Sequence, residues 1–150
     1  SLDARRAAFW AAGEGIDGTG AAVVRLVDDL LGRIDAAAEP LKAVHAAEIA
    51  QLEERVAEQG ERGGGRTKLV ERQKREARRH NTDELRYGLT VMARRYRDAA
   101  VASPRPRPYL AAVDRILTCA ADLVRNPTPR TQLLALLLAL PQLPPSSGSS

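Results

Sequence analysis

At 150 residues the chain is long enough to bury a core, and it fits one domain or part of a larger protein. One Trp, one Phe and three Tyr leave that core to Leu, Val, Ile and Ala, a composition that suits close helix packing and argues against a sheet. The net charge of +4 comes from 23 basic and 19 acidic side chains in interspersed order, which reads as a solvated surface rather than a dedicated polyanion binder, and the single Cys119 excludes an intramolecular disulfide.

Asp3 is a plausible cap for a short helix from Ala4 to about Ala12, which ends where Gly13, Gly15, Gly18 and Gly20 disfavour helix. Thr19 opens the next helix, in which Val23, Val27, Leu30 and Ile34 recur at spacings of three and four and make one core-facing stripe. Pro40 ends that helix near Ala38 or kinks it before a second one carrying Leu41, Val44, Ile49, Leu52 and Val56. Gly60 to Gly65 holds four glycines in six residues and reads as a mobile loop.

A long element follows from Thr67 to about Ala102, on the order of 50 Å if continuous. His80-Asn81-Thr82 is a candidate interruption, because Asn81 with Glu84 has the form of a capping box and allows a fresh start near Asp83. Beyond it Leu85, Leu89, Met92, Tyr96 and Ala99 keep a near-heptad spacing. The prolines of Ser103 to Pro108 make a stiff connector, and Pro108 sits in the first turn of a helix with a continuous stripe of Leu110, Val113, Ile116, Leu117, Ala120, Leu123 and Val124. That helix stops at Asn126-Pro127. Thr128 caps the last one, with Pro129 at its first position and leucines at 133, 134, 136, 137, 138 and 140 on nearly all sides. A helix apolar all round must be buried all round, which points to cover from another subunit. The expected architecture is all-α, a bundle of about five to six helices forming one domain over residues 1–145, with 146–150 a disordered tail.

Chemistry-bearing patterns are few. Gly13-Glu14-Gly15-Ile16-Asp17-Gly18 fits G-x-G-x-x-G, but the residues before it are helical where a dinucleotide site needs a strand. There is no Walker A loop. His45 with Glu48 has helical spacing, yet one such pair reads as a solvated contact, and neither it nor His80 has the further ligands a metal site needs. No nucleophile, base and orienting acid assemble, so no catalytic, cofactor or metal residue is assigned and the chain reads as a non-enzyme. Cys119 reads as a buried, inert thiol. The basic run from Arg66 to Arg79 is the one nucleic-acid candidate, with Arg72, Arg75, Arg78 and Arg79 as its contacts. Glu71 and Glu76, four residues from Arg75 and Arg72, instead favour intrahelical pairing. No signal peptide is visible and no segment approaches the roughly 20 apolar residues that span a bilayer, so a cytoplasmic protein with no membrane contact is expected.

Two segments in order carry a family likeness. The first runs from Lys68 to Val101, where Glu71, Arg72, Gln73, Lys74, Arg78, Asp83, Leu85, Leu89 and Tyr96-Arg97-Asp98 fall in register. The second is Asn126-Pro127-Thr128-Pro129 followed by Leu133 to Leu140. In both the chain resembles the third domain of the delta-prime subunit of the bacterial DNA polymerase III clamp loader, in its actinobacterial form. Thr128-Pro129 stands where that family has Asn-Pro, and the proline-rich connector is longer. The resemblance implies a collar domain that packs beside those of the gamma or tau and delta subunits, with the AAA+ ATPase module preceding Ser1. It implies no cofactor here and no direct DNA contact, since DNA is held mainly by the ATPase domains. Leu133, Leu134, Leu137 and Leu140 are the expected subunit interface. Two other classes fit the residues: a free-standing basic helical protein that binds nucleic acid through Arg66 to Arg79, and a helical ligand-binding regulator.

Overall fold

Ten residues, Leu2–Ala11, form α1 in the computed structural model, which describes residues 1–60 and 64–146. A 3-10 turn over Ala12–Gly15 leads to α2 (Gly20–Ala37), α3 (Glu39–Gln59), α4 (Gly64–Ala102), α5 (Arg107–Arg125) and α6 (Pro129–Ala139). The described residues contain six α-helices and no strand, an all-α bundle as expected. None of these helices is long and apolar enough to cross a membrane. Residues 61–63 of the glycine-rich loop and 147–150 of the expected tail lie outside the described residues.

Local chemistry sets most boundaries. Ser1, not Asp3, caps α1: its hydroxyl accepts from the Ala4 amide at 3.2 Å, and Asp3 lies in the first turn. Thr19 caps α2 as expected, accepting from Ala22 N at 3.2 Å. At Pro40 the chain starts a separate helix rather than a kink, because Pro40 occupies the first turn of α3, where its missing N–H has no helical partner to lose. Thr128 holds the cap position of α6 without a side-chain cap bond; Gln132 Oε1 reaches back to its amide instead, at 3.1 Å.

The candidate interruption at Asn81 does not form a break. Helix α4 runs unbroken for 39 residues through His80-Asn81-Thr82. A capping box is worth about 1 kcal/mol, whereas opening α4 would expose a full set of unpaired backbone groups between turns already packed on both sides.

Helix α4 is the axis of the bundle. Its second half buries Leu85, Leu89, Met92 and Tyr96 among Phe9 of α1, Val23, Val27 and Leu30 of α2, Ile116 and Leu123 of α5, and Leu133 and Leu137 of α6. Its first half leaves the bundle and pairs with α3 as a two-helix arm. Gly88 admits α1: a Cβ there would lie 2.5 Å from the Phe9 ring. The Tyr96 hydroxyl donates to the Pro141 carbonyl at 2.7 Å, and Leu143 N donates to Gly13 O at 3.0 Å. The segment after α6 therefore folds back across the 3-10 turn. Ser146, expected in the loose tail, is tied to Glu14 through its hydroxyl at 3.0 Å.

Candidate functional site

The leucines of α6 divide by direction. Leu133 and Leu137 are fully buried, and Leu136 and Leu140 nearly so, in the core that α6 shares with α2, α4 and α5. Leu134 is partly buried against the same core. This corrects the expectation that Leu133, Leu134, Leu137 and Leu140 face another subunit: the chain's own helices cover Leu133, Leu137 and Leu140, and Leu134 in part. Leu138 alone among these leucines points outward, 62% exposed.

The uncovered apolar surface is on α5. The stripe read there as continuous splits into two lanes. Ala112, Ile116, Ala120 and Leu123 are buried. Leu110, Leu117 and Val124, seven residues apart, are 49%, 49% and 58% exposed. Val113 lies at the boundary between the lanes, partly buried. Seven residues are close to two helical turns, so the three exposed side chains form a straight seam along one edge of the helix, the geometry of a helix that packs against a further helix. Arg86 of α4 donates to the Ala120 carbonyl at 3.2 Å and closes α5 onto α4 beside this seam.

The arm holds a polar centre. Helix α3 buries one residue, His45, and Gln73 of α4 is buried with it; Val44, expected in an apolar stripe, is 56% exposed. His45 Nε2 and Glu76 Oε2 are 2.9 Å apart. Gln73 Nε2 donates to His45 O at 2.9 Å and to Glu48 Oε1 at 3.4 Å. Arg72 bridges the two carboxylates, 2.5 Å from Glu48 Oε2 and 3.4 Å from Glu76 Oε1. The hydrogen bond from His45, aided by Arg72, holds the Glu76 carboxyl below its usual range. One donor atom from each of His45, Glu48 and Glu76 lies within 4.8 Å of the others, so these residues could hold a metal ion.

The four arginines singled out in the sequence do not make one phosphate-binding face. Arg72 is committed to Glu48 and Glu76, and Arg75 lines the same α3–α4 groove beside Glu48 and Glu71. Arg78 borders a cleft on the α2 side with Leu31, Ile34 and Pro127. Arg79 is exposed. Of the intrahelical pairs expected here, Glu76 with Arg72 forms, while Glu71 sits 3.9 Å from Lys74 rather than on Arg75.

No protein-family model matches this chain, and no curated protein or solved structure is detectably similar to it.

Gly13, Gly15 and Gly18 lie in the turn after α1, with a helix and not a strand before them. Gly13 is needed for packing, since a Cβ there would meet Tyr96 Oη at 2.5 Å and Leu143 at 2.6 Å. Burial, aided by Asp122, pushes the Cys119 thiol up and away from nucleophilic behaviour. Sequence reasoning missed two arrangements. Glu76 joins His45 and Glu48 only because α3 and α4 run antiparallel, and its signal was a second polar pair, Gln73 and Glu76, at helical spacing. The exposed lane of α5 was legible as a seven-residue repeat within a stripe too wide for one contact.

Proposed function

We propose that this chain is a non-catalytic assembly domain, the collar domain of a clamp-loader delta-prime subunit, which supports loading of the sliding clamp in DNA replication by packing against the gamma or tau and delta subunits. The observation that carries the reading is the seam of Leu110, Leu117 and Val124, an apolar helix edge that the fold leaves open. Covering a half-exposed Leu or Val contributes about 1 kcal/mol each, so such a seam has a use only when another helix lies on it. The resemblance supplies the partner, since collar domains pack side by side. Tyr96 of the Tyr-Arg-Asp motif is buried in the core, and Asn126-Pro127 ends α5, so the matched motifs have structural work that suits a scaffold.

The alternative of a free-standing nucleic-acid binder has less support, because Arg66 and Arg72 are already paired with the carboxylates of α3. Light-scattering chromatography of this domain with the gamma or tau and delta subunits, at low and moderate salt, tests the choice. The expected result is a stable complex at both salts that is lost in a Leu110→Asp, Leu117→Asp double variant whose circular dichroism is unchanged. Failure of the unmodified domain to join the complex, together with salt-sensitive DNA binding, would turn the conclusion to the nucleic-acid alternative.

A further inference from the structure

We infer that His45, Glu48 and Glu76 form a binding site for a divalent transition-metal cation that staples α3 to α4, a role independent of the assembly function proposed above. The seam between these helices is built unlike the core of the bundle. There the helices meet through Leu, Ile, Val, Phe and Ala; here the two most buried residues are His45 and Gln73. An apolar pair in their place would bury without the desolvation of polar groups, so a histidine and an amide need another reason to be there.

The orientation of the carboxylates supplies it. Arg72 takes Oε2 of Glu48 and Oε1 of Glu76. That leaves Glu48 Oε1, which has only a long 3.4 Å bond from Gln73, and Glu76 Oε2, which is turned to His45 Nε2. The guanidinium thus holds the far oxygens of both carboxylates, as outer partners orient metal ligands in general, while the Gln73 amide ties the His45 backbone to α4. One imidazole nitrogen and two carboxylate oxygens suit zinc or manganese, and the exposed Glu76 leaves one side open to water for the remaining coordination. Metal bonds of about 2.0–2.2 Å call for donors roughly 3–3.5 Å apart. The three donors, within 4.8 Å of one another, reach that spacing by small side-chain rotations, which the partly exposed Glu48 and Glu76 are free to make. Two carboxylates and one guanidinium carry a net charge of about −1, which attracts a cation. The retained Arg72 cation opposes the bound ion, so binding is weaker than at a thiolate zinc site.

Calorimetric titration of the intact chain with Zn²⁺, and separately with Mn²⁺, tests this, with Glu48→Gln and Glu76→Gln as variants that keep side-chain shape and need no refolding of the seam. The expected result is a saturable one-site isotherm for at least one of the two ions, weakened about tenfold or more by each substitution. No saturable binding below millimolar metal, or an isotherm that either substitution leaves unchanged, overturns the site. Neither result bears on subunit assembly, which is read by a different experiment at a different surface.

Discussion

The ring of Phe9 lies on the backbone of Gly88, so close that a single added methyl group would sit 2.5 Å from its edge. This contact lets α1 reach the middle of α4, where a salt bridge from Arg5 to Glu84 at 2.7 Å and the Arg6 guanidinium over the Tyr87 ring at 4.7 Å flank it. Gly88 is thus a socket in the central helix, and its lack of a side chain is what the packing uses.

Gly88→Ala tests the socket. Alanine is the better helix former by about 1 kcal/mol, yet the clash with a fully buried ring outweighs that gain, and a net loss of about 1–3 kcal/mol in chemical denaturation is expected. Gly32 in α2 is the control: a methyl group added there would meet nothing within 4 Å, so Gly32→Ala should raise stability by about 0.5–1 kcal/mol. If both substitutions stabilise, the Phe9 contact is looser than described.

The two faces of α6 should respond very differently. Leu137→Ala removes a fully buried side chain and is expected to cost about 2–5 kcal/mol, whereas Leu138→Ala, at an exposed position, should change stability by about 0.5 kcal/mol or less. Urea midpoints of the two variants decide. Aspartate at Leu137 and Leu140, two of the residues the sequence marks as an interface, would unfold the domain instead of freeing it from a partner.

Tyr96 makes the fold sensitive to alkali. Burial raises its phenol well above the ordinary value of 10.0, because the ionised form has no solvent in the core. A folded-state pKa above the unfolded one favours the folded chain below pH 10 and loses that advantage as pH climbs from 10 toward the folded-state value. The melting temperature should therefore fall steadily above pH 10. Tyr96→Phe should flatten that decline while lowering stability at neutral pH by about 1–3 kcal/mol, since Pro141 O loses its donor.

Cys119 should react slowly with an aromatic disulfide reagent at neutral pH and rapidly once urea unfolds the chain. Its thiol is half-buried and shifted upward by burial, with Asp122 adding to the effect. A reaction as fast in the native chain as in the unfolded one would mean that α5 opens readily at that turn.

Much of this was legible along the chain. Prolines at 40, 108 and 129 and the cap at Thr19 mark helix starts because their effects act over one turn and need no neighbour. Asn81 shows the limit of such reasoning: the same local chemistry is present, but the helix is held on both sides of it and no end forms. The metal-ligand trio was only half visible, since His45 and Glu48 share one helix while Glu76 lies 31 residues beyond His45 on another.

The sequence by itself determined that the chain is helical and which residues are apolar at helical spacing, because those depend on contacts within a few residues. Only the tertiary structure decided which apolar lane is covered. Leu137 and Leu117 look alike in a periodic pattern, yet Leu137 sits on the face of α6 turned into the core and Leu117 on the outer lane of α5, so one leucine is sealed and the other left half open. Burial is set by what the rest of the chain places opposite a residue, and that depends on contacts far apart in sequence.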